Sequence, residues 1–144
     1  MTTLLAFFVF IVALVGMEGV AWLTHRYLMH GPLWVLHQSH HRPGASRLQR
    51  NDAFAVLFSL PSIALIYLGT QGRPLALAAG LGMAAYGVLY FLVHDVIVHR
   101  RLRFPFALGS GYLRRIVRAH LVHHRTDRRD DAVNFGFLIP PRGY

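Results

Sequence analysis

Ten histidines stand in two windows of the sequence: His25, His30, His37, His40 and His41, then His94, His99, His120, His123 and His124. Each window has the same internal grammar, HxxxxH followed by HxxHH, written "HRYLMH" and "HQSHH" in the first and "HDVIVH" and "HLVHH" in the second. The HxxHH spacing has a physical reason, because positions i, i+3 and i+4 share one face of a helix. His37, His40 and His41 are therefore expected to converge, as are His120, His123 and His124. The HxxxxH pairs fit a helix less well: five residues turn it by roughly 500°, which leaves the two side chains about 140° apart. Either two metals flank that helix, or the helix ends between the histidines, as Gly31-Pro32 just after His30 would allow. A lone histidine near a membrane is ordinarily a snorkelling or hydrogen-bonded side chain. That does not explain a twice-repeated pattern holding every histidine in the chain, which reads as one shared metal site.

The chain has no cysteine, which excludes disulfides, thiolate-ligated zinc, iron–sulfur clusters and thiol catalysis. Imidazole suits zinc, copper, iron and nickel. Two six-coordinate ions offer twelve positions, so ten histidines leave about two for bridging or exchangeable oxygen ligands; a four-coordinate zinc pair needs only eight. The count points to two iron ions. Outside enzymes, the competing readings are a haem-binding membrane cytochrome or a metal carrier. Haem asks for paired axial histidines across a helix bundle, and a carrier for ligands spread through the membrane; the apolar spans here contain none.

The elements that must position these groups read as an all-α integral membrane protein, a single domain over residues 1–144. Of the residues, 54% are hydrophobic and 15% charged, a balance foreign to a small soluble domain. Apolar runs at residues 3–24, 53–70 and 75–93 each suit a membrane helix. The first is broken only by Glu18, lacks a basic start and a cleavage site, and reads as a retained span rather than a signal peptide. The second contains Pro61, which a membrane helix tolerates when neighbours satisfy the freed carbonyl. "GTQGRP" (69–74) is a turn, and Gly80, Ala84 and Gly87 in the third run suit close helix packing or simply membrane composition. The hairpin of spans two and three returns the chain to the side it left, so both histidine windows share one side. Fourteen of the fifteen basic residues, all arginine, lie in those two stretches and only Arg73 in the opposite turn, which makes the histidine side and the C-terminus cytoplasmic. The net charge of +9 is thereby assigned to topology rather than to nucleic acid. Residues 110–124 alternate arginines with Leu113, Ile116, Val117 and Leu121 at helical spacing, which predicts an interfacial helix rather than a fourth span.

Several polar residues could support the ligands from behind. Glu18, an intramembrane carboxylate, either pairs with a polar group of another helix or serves the site. Asp95, directly after His94, could accept a hydrogen bond from a ligand imidazole and fix its tautomer. Asn51, Asp52 and Asn134 could do the same, with helix capping the plainer role for Asn51 and Asp52 before span two. Tyr67, Tyr86, Tyr90 and Phe91 could line a substrate passage or simply meet lipid. The arginine surface serves topology and lipid headgroups, and could also dock an acidic electron donor.

With these residues in place the chain resembles a known group, the membrane di-iron enzymes of the fatty acid hydroxylase superfamily. It is most similar there to the bacterial β-carotene hydroxylases. "GMEGVAWLTHRYLMHG", "HQSHHRP", "NDAFAV", "LIYLGTQG", "AYGVLYFLVHDVIVH", "GYLRRIVRAHLVHH" and "NFGFLIPP" carry the resemblance in order and spacing over nearly the whole chain. The histidine boxes alone are shared with sterol and fatty-acyl enzymes; the segments between them point to carotenoids. The resemblance implies a monooxygenase that places a hydroxyl on C3 of a β-ionone ring, taking β-carotene through β-cryptoxanthin to zeaxanthin. It implies two non-haem irons, O2 as co-substrate and a ferredoxin-type electron donor. An unactivated ring C–H bond offers acid–base catalysis no handle, so the hard step would belong to the metal. A carotenoid ketolase and an acyl or sterol hydroxylase or desaturase share that chemistry and are the neighbouring readings.

Overall fold

The computed structural model describes residues 2–42, 48–102, 109 and 111–144. Five α-helices follow in order: α1 (Thr2–Leu23), α2 (Trp34–His41), α3 (Ala53–Thr70), α4 (Pro74–Tyr90) and α5 (Gly111–His123). A π-helical segment prolongs α1 over Thr24–Met29, and another prolongs α4 over Phe91–Val98. Among the described residues there is no strand.

Among the described residues, three helical stretches are long and apolar enough to cross a membrane: Thr2–Met29, Arg50–Thr70 and Pro74–Val98. The first and third outrun the apolar stretches read from sequence, because they continue into the π segments. At 28 and 25 residues they exceed the ~20 that a hydrocarbon core requires, and the surplus turns carry His25 and His94. α4 is the central helix, with α1 and α3 each packed along it. Pro61 lies within α3, which continues through it. At the far end the chain reverses through Gly72, whose φ of 88° is a left-handed conformation that glycine adopts without cost, and Pro74 opens α4 at a position where its missing N–H costs nothing.

Of the glycines expected in close packing, Gly80 is so placed and Gly87 is not. A side chain at Gly80 would meet the α3 backbone at Ile66 and Ser62, and Ser62 Oγ donates to the Gly80 carbonyl at 2.8 Å. On the other side of α4 the tight contact is at Gly82, where a Cβ would lie 2.5 Å from the Phe10 carbonyl of α1. A Cβ at Gly87 would meet nothing within 4 Å. The interfacial helix is present as α5; Ser110, at the expected start, lies outside the described residues. Its buried stripe is Ile116, Ala119, His120 and His123, while Leu121 faces outward.

Replacing Gly82 by leucine must separate α1 from α4, an overpacking cost of about 1–3 kcal/mol. Gly16, with open space around it, is the matched control. G82L is expected to lower the melting temperature in detergent and G16L to leave it unchanged; equal melting of the two would refute the α1–α4 contact.

Candidate metal centre

Neither expected solution for the HxxxxH pairs is the one adopted. The backbone changes instead from α to π: His30 N–H donates to the His25 carbonyl at 3.0 Å, and His99 N–H to the His94 carbonyl at 2.9 Å. An i→i+5 bond widens the turn, so residue i+5 comes to lie over residue i rather than across the helix. The His25 and His30 ring centres are 5.2 Å apart, and those of His94 and His99 4.5 Å apart. Each pair therefore serves one site rather than two.

The HxxHH triplets also behave differently from expectation, because they divide. His25, His30, His37, His41 and His123 form one cluster, with a nitrogen from each within 4.8 Å of all the others. His40, His94, His99 and His120 form a second on the same criterion. The His124 ring lies 4.5 Å from that of His120, 4.6 Å from His40 and 4.9 Å from His99, and 4.5 Å from His41 of the first cluster, so three of its four nearest rings are in the second. Each window thus supplies its HxxxxH pair and the outer two histidines of HxxHH to one cluster. It lends the middle histidine, His40 or His123, to the other. The helix dictates this: residues four apart are about 40° apart around the axis, while adjacent residues are separated by about 100°.

In the first cluster every Nδ1 faces an oxygen. His25 Nδ1 is 3.0 Å from the Phe135 carbonyl, His30 Nδ1 2.9 Å from that of Arg129, His41 Nδ1 2.8 Å from that of Thr126, and His123 Nδ1 2.7 Å from that of Val133. His37 Nδ1 is 2.7 Å from Asn51 Oδ1. A carbonyl cannot donate, so each Nδ1 carries the proton and each Nε2 is left with a bare lone pair. These Nε2 atoms face one another at 3.1 Å (His25–His37), 3.2 Å (His30–His123), 3.3 Å (His37–His41) and 3.1 Å (His41–His123). In the second cluster the His40–His94 and His99–His120 Nε2 pairs are 3.1 and 3.0 Å apart. Two neutral acceptors at that distance do not hydrogen-bond. Nitrogen donors about 2.1 Å from a shared ion lie about 3.0 Å apart at right angles and about 3.4 Å apart in a tetrahedron. The spacings suit a cation between them, and five donors in the first cluster exceed the four of a tetrahedral zinc site. His124 Nε2, buried with no hydrogen-bond partner, is a further nitrogen suited to a metal.

Burial keeps the imidazoles outside the spans neutral. It pushes His41 down to about 4, His99 and His123 to about 3, and His37 to about 2, with neighbouring histidines adding to the effect. His30, His40, His120 and His124 are lowered by the same cause.

The two clusters are backed differently. Behind the second runs a continuous chain of polar contacts. His40 Nδ1 meets Gln49 Oε1 at 3.0 Å, and Gln49 N–H donates to Asp52 Oδ2 at 2.9 Å. Arg101 Nη1 donates to Asp52 Oδ1 at 2.8 Å, and Arg101 Nε lies 3.0 Å from Asp95 Oδ1. Asp95 Oδ2 closes the chain 3.4 Å from His94 Nδ1. The backbone helps: Arg100 adopts a φ of 51°, and Arg101 N–H returns to the Asp95 carbonyl at 2.8 Å. Asp52 caps the helix start as expected, through a capping box with Gln49 on the 3-10 turn Arg50–Asp52 that leads into α3, whereas Asn51 is turned to His37. Gln49 and Arg101 carried no signal in sequence, since a glutamine and an arginine outside the histidine boxes look like ordinary surface residues.

Glu18 organises the first cluster from a distance. Its carboxylate is 8% exposed and accepts from Tyr86 Oη at 2.8 Å, from Phe137 N–H at 2.7 Å and from Ile139 N–H at 3.1 Å. It thereby ties the C-terminal segment to α1 and α4, and that segment supplies the Val133 and Phe135 carbonyls to His123 and His25. Asn134 adopts a φ of 60° within the segment and donates to Tyr144 Oη at 2.6 Å rather than to a histidine. Phe135 and Phe137 cover the two clusters, with ring centres 5.2 Å from His30 and 5.2 Å from His94.

A cavity of about 530 Å³ reaches this site from the membrane-spanning part of the molecule. His25, His94 and His120 stand at its polar end, and Tyr86, Tyr90 and Phe91 line it, while Tyr67 does not.

The model of the fatty acid hydroxylase family matches residues 10–141. The chain belongs to that family. Among curated relatives it is 46% identical to a β-carotene hydroxylase of Pantoea ananas over 130 residues, covering 90% of this chain and 74% of the relative. It is 38% identical to the β-carotene hydroxylase of Paracoccus sp. (strain PC1), covering 94% and 84%. The chloroplastic β-carotene 3-hydroxylase 2 of Arabidopsis thaliana is 38% identical, with 90% of this chain and 44% of that longer protein covered. No solved structure matches the chain. Family membership makes this a hydroxylating enzyme, and its two histidine clusters suit a pair of metal ions.

Removing a group behind a histidine ligand costs roughly 10–100-fold in metal affinity. R101A frees Asp95 and Asp52 behind the second cluster alone. Titration with Co(II) is expected to show one of two binding steps weakened by that factor and the other unmoved. Two unmoved steps would show that the polar chain does not support the site.

The depressed imidazole values also set an acid limit. Between its folded value and about 6.5, a histidine binds a proton in the unfolded chain and not in the folded one, so folding weakens as pH falls through that window. The melting temperature of metal-free protein should drop from pH 7 to pH 4. A flat profile would mean that the imidazoles are not buried in neutral form.

Proposed function

We propose that the protein is a carotenoid monooxygenase that hydroxylates C3 of β-ionone rings, converting β-carotene to β-cryptoxanthin and then zeaxanthin. One observation carries the reading most: two interleaved all-histidine clusters stand at the polar end of a membrane-level cavity, in a chain close to half identical to bacterial β-carotene hydroxylases. The ligands are the ten histidines, His25, His30, His37, His41 and His123 for one ion and His40, His94, His99, His120 and His124 for the other. The ions are iron, because the all-imidazole donor set exceeds two tetrahedra and leaves positions for oxygen.

The reaction balances as follows. One oxygen atom of O2 enters the ring C–H bond, and the other leaves as water with two protons. Two electrons come from a ferredoxin-type donor. When bound, the iron pair supplies the oxidising power that no side chain offers. The protein's own share is positional. Carbonyls and Asn51 hold Nδ1 protonated and aim Nε2 inward; Phe135 and Phe137 exclude water; Asp95 and Arg101 fix the His94 ring. Arginines crowd the histidine side, which supports a cytoplasmic location for the clusters and the C-terminus, where an acidic reductant could dock.

Expressed in a bacterium that accumulates β-carotene, the chain is expected to yield zeaxanthin through β-cryptoxanthin. H40A and H123A should abolish conversion while the protein stays in the membrane, because each removes the one ligand that its window lends across. Normal zeaxanthin from both variants would show that these residues are not essential ligands. Ketolated carotenoid alone would overturn the hydroxylation, and acyl or sterol products with untouched carotenoid would overturn the substrate.

A further inference from the structure

α1 and α3 both pack on α4, and the packing between α1 and α3 themselves is slight. What separates them is the cavity, a groove with α4 as its floor. Met17 and Ala21 form one wall, Ala55 and Phe58 the other, and Gly87 the floor. Ala55, Ser59, Ile63, Gly87 and Val88 line it and are exposed. The groove therefore opens sideways, at a level where three membrane-crossing helices meet hydrocarbon. At its other end stand His25, His94 and His120.

Gly87 is the telling residue of the floor. In a helix interior glycine costs about 1 kcal/mol relative to alanine. At Gly80 and Gly82 that cost is offset by close helix contact. Gly87 makes no such contact, since a Cβ there would meet nothing within 4 Å. The volume it leaves belongs to the groove, about two helical turns, or ~10 Å along the axis, before His94.

The chemistry of the lining selects among apolar molecules. It contains no arginine or lysine among the described residues, and its charged members are Asp52 and Asp95 at the histidine end. The hydroxyls of Ser59 and Ser62 are spent on backbone carbonyls, Val56 O and Gly80 O, both at 2.8 Å. An anionic headgroup would find no counter-charge here and two carboxylates ahead of it. An uncharged hydrocarbon meets no such penalty.

We propose that this groove is the substrate site, that it admits one ring end of an uncharged carotenoid from the bilayer between α1 and α3, and that Gly87 sets its clearance. The proposal rests on the carotenoid reading above. The ring lies between Gly87 and the histidines, and the polyene leaves through the side opening into lipid. G87L and A55L narrow the groove from floor and wall, whereas G16L adds the same bulk to α1 outside it. Each protein is expressed in a β-carotene-accumulating bacterium and purified in nanodiscs. Conversion, co-purified β-carotene and iron content are then measured. G87L and A55L are expected to lose about tenfold or more of both conversion and bound carotenoid, the scale on which small changes of fit act in an apolar pocket. Their iron content should be unchanged, and G16L should match wild type throughout. If G87L loses iron, A55L decides. Wild-type levels of bound carotenoid in both groove variants would overturn the proposal while leaving the reaction intact. Wild type that holds β-carotene without hydroxylating it would overturn the reaction, with the groove standing if G87L still releases the carotenoid.

Discussion

Bare imidazole lone pairs turned toward one another are the constraint on which the rest of this molecule is arranged. Four of the five rings in the first cluster bond a backbone carbonyl through Nδ1, which fixes the tautomer and leaves Nε2 as an acceptor with only other acceptors in front of it. Such an arrangement is costly without a cation and strongly favourable with one. Irregular backbone follows from it. The carbonyls come from segments free of helix, 126–135, because a helical carbonyl is already engaged by its own ladder. The C-terminal segment is therefore as much a part of the site as the histidine boxes, and Glu18 is the side chain that fastens it to the membrane-spanning helices.

The π segments solve a second problem. A helix emerging from the membrane presents its last turns to the site, and a pair spaced five apart would point in different directions in α geometry. Widening the turn brings both rings to one side at the price of one irregular hydrogen-bond register. The same device occurs at the ends of α1 and α4, so the two windows are alike in conformation as well as in spelling. Each then lends its middle histidine to the other cluster. This exchange makes the clusters interdependent: neither window can assemble a complete site alone, and the helices that bear them must be docked before either is formed.

The clusters are nonetheless not equivalent. The first is backed by neutral carbonyls and an amide, the second by Asp95 and Asp52 held around Arg101. A carboxylate behind an imidazole strengthens it as a donor more than a carbonyl does, and Arg101 holds that carboxylate in place. The two ions would accordingly sit in different electrostatic surroundings while sharing one apolar groove.

The sequence by itself determined the helical membrane class, the three spans, the common side of both windows and the membership of all ten histidines in one region. It could do so because hydropathy, arginine placement and spacing are local properties that survive any tertiary arrangement. The division of the histidines was decided only in three dimensions. Helical spacing says that His37 and His41 share a face and that His40 stands aside, but not that another element waits there to receive it. Likewise a glycine in a span reads the same whether it admits a helix, as Gly82 does, or a cavity, as Gly87 does. Gln49 and Arg101 gained their places through contacts 9 and 49 residues distant in the chain. Such partners are fixed by the docking of elements, and no pattern within either segment encodes the distance between them.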